Sequence, residues 1–168
     1  EKDLTLALAR RVKVALQSRM AATVVLTRDS GVALTSEARV EVASANQSNL
    51  FVSLHNGYSP EKTASGSSIY IMKADFTGGT PEPPGGRLFL PWYMAYRLSA
   101  SNSQALAMQL QKDLNQALPG WKFPIRQAPI GVLPSATMPA VAIEIGNLNN
   151  DVSVKTMTDP EFQTKLAA

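Results

Sequence analysis

Apolar positions recur at a helical period in several separate segments of the chain. In residues 3–20, Leu4, Leu8, Val12 and Leu16 are spaced four apart, and most basic side chains lie away from that stripe. This pattern is typical of an amphipathic helix with one buried face. The predicted helices are residues 3–20, a helix from Thr35 or Ser36 to about Asn46, a helix with Leu106, Leu110, Leu114 and Leu118 on one face after the capping box Ser101–Gln104, and a last helix beginning at Asp159-Pro160.

Short runs of β-branched and apolar residues separate these helices and predict strands. The predicted strands are residues 23–27, 50–54, 68–72 and 140–145. Residues 77–91 are rich in Gly and Pro, which predicts a loop. Strands that alternate with helices predict an α/β fold, a three-layer sandwich whose mostly parallel central sheet is flanked by helices.

Composition limits the possible functions. The 168 residues and 45% apolar content indicate one globular domain over residues 1–168. The net charge is +3, and no basic run with interleaved aromatic residues is present, so we expect no nucleic-acid partner. No apolar run approaches the roughly 20 residues of a membrane span, so we expect no transmembrane segment. The absence of cysteine excludes thiol catalysis, disulfides and cysteine-ligated zinc.

His55 is the only histidine, and it follows the predicted strand 50–54. In open α/β sheets, ligands bind beyond the carboxyl ends of the strands, which makes this position suitable for a metal ligand or a general base. A histidine that only forms a hydrogen bond with a neighbouring loop is the alternative.

Glu144 interrupts the apolar run 140–145, which predicts a strand buried on both faces. A carboxylate there must be paired, coordinate a metal or be protonated. The structural alternative is an ion pair with Arg28 or Arg39. The functional hypothesis is a general base that activates water, and Glu144 is the best catalytic candidate from the residues alone.

Other catalytic schemes find little support. No G-x-S-x-G motif is present, and the glycine pairs near residues 78 and 85 lack the strand–turn–helix context of a phosphate-binding loop. Glu1 precedes the first predicted helix, where a favourable interaction with the helix dipole is a sufficient explanation.

Several short blocks, taken in order, resemble the zinc-dependent N-acetylmuramoyl-L-alanine amidases of bacterial cell walls. The match extends from the first residue to about Leu166. The blocks are residues 1–7 (EKDLTLA), residues 25–28 (VLTR), Arg39 with Ala43, residues 50–55 (LFVSLH), Gly66 with Ile69-Tyr70, Ala128-Pro129, Val132-Leu133, Pro139-Ala140 and residues 143–146 (IEIG).

The resemblance implies one zinc ion, held in this family by two histidines and one glutamate. Glu1 resembles the glutamate ligand, His55 the second histidine and Glu144 the glutamate that acts on water. The implied reaction is hydrolysis of the amide bond between N-acetylmuramic acid and L-alanine in peptidoglycan. The implied location is periplasmic or extracellular, without a signal sequence in this chain, and the existence of an activator protein stays open.

The first zinc histidine of this family lies on a strand before the glutamate ligand, in a segment resembling D-P-G-H-G-G. This sequence contains no such segment. We therefore expect an N-terminally incomplete catalytic domain whose first strand is missing. The alternative is a catalytically inactive domain without zinc that binds peptidoglycan or regulates another protein.

Overall fold

The computed structural model describes residues 1–64, 66–73, 75–76 and 92–168. The predicted loop 77–91 lies outside these residues. The helices are Lys2–Arg19 (α1), Ser36–Ala45 (α2), Ala100–Ala117 (α3), Asp151–Thr158 (α4) and Pro160–Ala167 (α5), and the strands are Phe51–Gly57 (β1), Ser68–Ile71 (β2), Ile125–Gln127 (β3) and Ala140–Asn147 (β4). Two 3₁₀ helices, Trp92–Ser99 and Leu133–Ser135, complete the described elements.

The four described strands form one mixed sheet in the order β1-β4-β2-β3. β1 is parallel to β4 and β2 is parallel to β3, whereas β2 is antiparallel to β4. Two of the three strand pairings are therefore parallel, which confirms the predicted mostly parallel sheet.

Alternate residues of β4 contact two separate hydrophobic cores. Val141, Ile143 and Ile145 pack with residues of α1, α3, α4 and α5. Ala140 and Ala142 pack with residues of α2 and both 3₁₀ helices on the other face. Since side chains alternate between the two faces of a strand, the sheet lies between two helical layers, and the predicted three-layer sandwich is confirmed.

Local sequence signals placed most helix ends correctly. The Thr35 side chain accepts a hydrogen bond from the Ala38 amide at 3.2 Å, and Asp159 accepts one from the Glu161 amide at 3.0 Å. The capping box at Ser101 is wrong, because α3 begins at Ala100 and its N-cap is Ser99, which forms no side-chain cap. Ser101 therefore lies inside the first turn.

The strand predicted for residues 23–27 is wrong in this structure. These residues form no regular element and have no ladder partner among the described strands. A groove separates residues 25–28 from residues 50–54 of the β1 edge, and residues of α1 and α2 also line it. Apolar side chains at its border are unusually accessible, with Val25 43%, Leu50 51% and Val52 38% exposed. The β-branched composition favoured extended backbone, but only a neighbouring strand could have completed a ladder.

β3 and α4 were not predicted. β3 has three residues, too few to display a two-residue period. The cap of α4 is Asn150, whose side chain accepts a hydrogen bond from the Ser153 amide at 2.8 Å. This cap lies in an asparagine-rich stretch that resembles an ordinary turn.

The fully buried Asn147 fixes the loop that follows β1. Its Oδ1 accepts hydrogen bonds from the Ser59 and Asn149 amides, both at 3.0 Å. Its Nδ2 donates to the carbonyls of Glu61 and Ala64, both at 3.1 Å. All four hydrogen-bonding positions of the amide are occupied, so residues 58–64 are held against the end of β4.

We expect Asn147→Ala to lower the free energy of unfolding by about 2–4 kcal/mol, because it removes four hydrogen bonds and leaves partly buried backbone groups without partners. Urea denaturation measures this loss. Asn102→Ala is the matched control, since Asn102 is exposed on α3. Equal stability of the two variants would show that solvent replaces the Asn147 hydrogen bonds.

Candidate active site

The candidate site lies at the carboxyl ends of the parallel strands β1 and β4. His55 of β1 is the register partner of Glu144 of β4. Ser68 of β2 is the partner of Glu144 on its other side. The three residues therefore lie in one row across the sheet, on the face that carries Ala140 and Ala142.

Glu1 and His55, far apart in sequence, meet at this edge. The His55 Nδ1 and the Glu1 Oε1 are 3.6 Å apart, and the two side chains are 39% and 48% exposed. This separation is too long for a good hydrogen bond, so neither atom satisfies the other. Both atoms can direct a lone pair at a third group, such as a metal ion, placed between them.

Arg28 contributes to the position of Glu1. Its Nη2 donates to the Lys2 carbonyl at 2.8 Å and to the Thr5 Oγ1 at 3.2 Å. These bonds attach the first turn of α1 to the segment that follows residues 23–27. Arg28 therefore supports the helix terminus that presents Glu1.

The His55 ring is oriented by Ser53, two residues earlier on the same face of β1. The Ser53 Oγ lies 2.8 Å from the His55 Nε2, and Ser53 is 6% exposed. A ring that donates its Nε2 proton to this hydroxyl has an Nδ1 lone pair directed toward Glu1. This hydrogen bond joins His55 to its own strand and not to a neighbouring loop, and it is compatible with the metal-ligand hypothesis.

Glu144 is half-buried, and Tyr70 is its hydrogen-bond donor. The Tyr70 hydroxyl donates to the Glu144 Oε2 at 3.3 Å. Gly57 leaves space for the carboxylate, since a Cβ there would lie 3.2 Å from the same oxygen. Arg28 and Arg39 donate instead to groups near the ends of α1 and α2, including the Leu34 carbonyl for Arg39. The ion pair considered for Glu144 is absent among the described residues.

Burial raises the pKa of Tyr70 above its usual value of 10, and the negative charge of Glu144 raises it further. Both effects disfavour the phenolate, so the hydroxyl stays protonated at neutral pH and can donate. Tyr70 and Ser68 were not among the sequence-predicted site residues. Their two-residue spacing predicts that they lie on one face of a strand. It does not predict that they lie next to Glu144, because that position depends on the antiparallel pairing of β2 with β4.

The described ranges contain no group of three His, Cys, Asp or Glu side chains that could hold a metal ion. The Glu1–His55 pair therefore supplies two possible metal ligands. Among the described helices, none is long and apolar enough to cross a membrane.

A layered α/β sheet with a His–Glu pair and a neighbouring carboxylate at the carboxyl ends of its strands combines candidate metal ligands with a candidate general base. The chain belongs to the N-acetylmuramoyl-L-alanine amidase family, whose sequence profile matches residues 1–168. The members of this class are hydrolases, so the family and enzyme class expected from the sequence are confirmed.

Two relatives match nearly the whole of this chain. The uncharacterized protein YqiI of Bacillus subtilis is 30% identical over 167 residues, which cover 99% of this chain and 69% of YqiI. The N-acetylmuramoyl-L-alanine amidase AmiC of Escherichia coli is 24% identical, and the match covers 99% of this chain but 45% of AmiC.

A solved structure supports the fold. The catalytic domain of CwlV, an N-acetylmuramoyl-L-alanine amidase from Bacillus (Paenibacillus) polymyxa var. colistinus, superposes with a TM-score of 0.78 at 29% identity. The match covers 99% of this chain and 78% of that domain.

Proposed function

We propose that the chain forms the main part of a zinc-dependent catalytic domain that hydrolyses the amide bond between N-acetylmuramic acid and L-alanine in peptidoglycan. The observation that supports this most strongly is the convergence of Glu1, His55 and Glu144 at one edge of the sheet. Family membership supplies the substrate class. Because that substrate lies outside the cytoplasmic membrane, we propose a periplasmic or extracellular protein.

The two available donors fit zinc in type and in spacing. Zinc in proteins favours imidazole nitrogen and carboxylate oxygen, and two tetrahedral ligands at about 2.0–2.2 Å from the ion stand about 3.4 Å apart. The 3.6 Å between the His55 Nδ1 and the Glu1 Oε1 is close to that value. A zinc ion held there would supply Lewis-acid chemistry, which polarises a carbonyl and makes water a better nucleophile at neutral pH.

Glu144 is placed to perform the proton transfers of the reaction. Its carboxylate accepts a proton from the attacking water and passes it to the amide nitrogen as the C–N bond breaks. Tyr70 holds one oxygen of this carboxylate, which leaves the other oxygen for the water. Gly57 keeps the space next to the carboxylate open.

The groove beside β1 supports the proposal that one more strand completes the domain. Its walls are residues 25–28 and the edge of β1 that has no partner among the described strands, and α1 and α2 line its sides. A strand there would pair with β1, cover Val25 and Val52, and end beside His55. We propose that residues N-terminal to Glu1 in the full-length protein form it and carry the remaining histidine ligand.

Zinc stoichiometry tests this completion. We expect the full-length protein to bind about one zinc ion and the chain of residues 1–168 to bind it far more weakly. In the full-length protein, Val52→Glu should weaken zinc binding, whereas Val14→Glu, at a 66% exposed position of α1, should not. Equal zinc affinity of the full-length protein and of residues 1–168 would contradict the proposal that a zinc ligand lies N-terminal to Glu1.

We expect Tyr70→Phe to lower kcat about tenfold with little change in stability, since a hydrogen bond to a charged group is worth about 1.5–3 kcal/mol and 3.3 Å is long. Because the pKa of Tyr70 is raised, its hydroxyl should add no pH dependence below its usual value of 10. Steady-state kinetics between pH 6 and pH 9 would check both expectations. Unchanged kcat would show that Tyr70 does not position Glu144.

We expect Ser53→Ala to weaken zinc affinity about 10- to 100-fold, because the ring that presents Nδ1 loses its hydrogen-bond partner. Competition with a chelator measures this affinity without an activity assay. Ser53→Thr keeps the hydroxyl and should retain most of the affinity. If Ser53→Ala bound zinc normally, the Ser53 hydroxyl would not be needed to orient His55.

Digestion of purified peptidoglycan tests the proposed function itself. We expect released peptides with a free N-terminal L-alanine and unbroken glycan strands, both visible by mass spectrometry. The second candidate, an inactive domain that binds peptidoglycan or regulates another protein, predicts sedimentation with cell wall without zinc and without released peptide. The observation behind this second candidate is that the described residues contain no group of three side chains that could hold a metal ion.

A further inference from the structure

Arg126 lies on the same face of the sheet as Glu144, on the side away from Glu1 and His55. Its neighbour Ile125 packs in the core formed by α1, α3, α4 and α5, so Arg126 faces the opposite side of β3. Arg126 is the register partner of Tyr70, the residue that contacts Glu144. All four strands therefore carry polar side chains on this face, and Arg126 lies in the row of Tyr70 and Ala142, next to the row of His55, Glu144 and Ser68.

A buried serine orients the Arg126 guanidinium. The Arg126 Nε donates to the Ser68 Oγ at 3.0 Å, and Ser68 is 4% exposed. The Ser68 hydroxyl in turn donates to the Ser67 carbonyl at 2.6 Å. The Arg126 side chain thus has one fixed donor at Nε, although the residue is exposed.

The terminal nitrogens of Arg126 have no protein partner in the described part of the chain. Among the described residues, the Arg126 side chain forms one hydrogen bond, from Nε to Ser68, and no ion pair with a carboxylate. Two parallel N–H groups in this fork match the two oxygens of a carboxylate. A fixed, solvent-accessible and unpaired fork at the edge of a candidate active site is suited to an anionic group of a ligand.

The distance from Glu144 limits which group this is. β2 separates β4 from β3, so the two backbones lie about 10 Å apart at a strand spacing of about 4.8 Å. An extended peptide advances about 3.3–3.6 Å per residue. A peptide cleaved at Glu144 and running across β2 would therefore bring its first two or three residues to Arg126.

We infer that Arg126 determines specificity by binding a free carboxylate within the first three residues of the peptide that is released. This inference rests on the proposed function, because it assumes that the cleaved amide lies at Glu144. Ser68 is the positioning residue for the guanidinium. Substrates whose peptide carboxylates are amidated should bind less well.

Two soluble muramyl peptides test the inference, one with free carboxylates and one with the same carboxylates amidated. For the zinc-loaded full-length protein, we expect kcat/KM to favour the free acid about 10- to 100-fold, the range of a charge-assisted hydrogen bond. Arg126→Gln should bring this ratio close to one, mainly through KM, and Arg126→Lys should keep part of it. Lys122→Gln, at an exposed position just before β3, controls for the lost charge.

Binding of the same two peptides by calorimetry separates this inference from the proposed function. If no peptide is cleaved but the free acid binds better in an Arg126-dependent way, the amidase proposal fails and the carboxylate site stands. Equal cleavage and equal binding of both peptides by the unaltered protein would overturn the inference. An equal loss of preference in Lys122→Gln would also overturn it, since net charge and not Arg126 would then be responsible.

Discussion

Glu144→Gln is expected to lower kcat by about 10²–10⁴, the usual contribution of a general base. Glutamine has nearly the same shape as glutamate, and its carbonyl can accept the hydrogen bond from Tyr70. It cannot take a proton from water or deliver one to the leaving amine. Peptide release should therefore fall while zinc content and melting temperature stay close to those of the unaltered protein.

Glu41→Gln is the matched control, because Glu41 is an exposed glutamate on α2, and it should retain full activity. Peptide release by Glu144→Gln at the unaltered rate would contradict the role of Glu144. A large drop in melting temperature would instead show that the half-buried carboxylate is needed for the stability of β4. Zinc analysis of the same samples separates a catalytic loss from a loss of metal.

Loss of zinc is the second large effect, and it is expected for His55→Ala. The substitution removes the nitrogen that faces Glu1 at 3.6 Å, leaving one of the two donors in the described residues. We expect zinc affinity in the full-length protein to fall more than about 100-fold, beyond the 10- to 100-fold typical of residues that only orient a ligand. Because His55 is 39% exposed, its truncation should cost little folding stability.

Glu1→Gln gives an independent test of the same pair. It removes the negative charge of one donor and keeps its size, so zinc affinity should fall while α1 remains intact. Asp3→Asn is the control, since Asp3 lies in the same helical turn and interacts with the same helix dipole. If Asp3→Asn weakened zinc binding as much as Glu1→Gln, the general charge of the helix terminus, and not Glu1 itself, would account for the effect.

The site was partly predictable because two of its residues stand out in their local sequence. Glu144 is a carboxylate inside an apolar strand, and the structure places it beside His55, at the carboxyl ends of β1 and β4. Glu1 had a sufficient explanation as a helix-terminal acid. Its selection came from the family resemblance, and its distance to His55 agrees with that choice.

The sequence by itself determined the elements whose signals lie in neighbouring residues. The apolar stripe of α1, the caps Thr35 and Asp159 and the continuous apolar run of β4 depend on interactions within a few positions. The alternation of strands and helices was sufficient for the layered α/β class.

Only the tertiary structure decided which strands are neighbours. The antiparallel position of β2 between β4 and β3 brings Tyr70 to Glu144 and places Arg126 beside Tyr70 on the same face. The tertiary structure also leaves residues 23–27 without a ladder partner among the described strands, across a groove from β1. Strand order and register depend on packing between residues distant in sequence, and no local pattern of hydrophobic and polar positions specifies them.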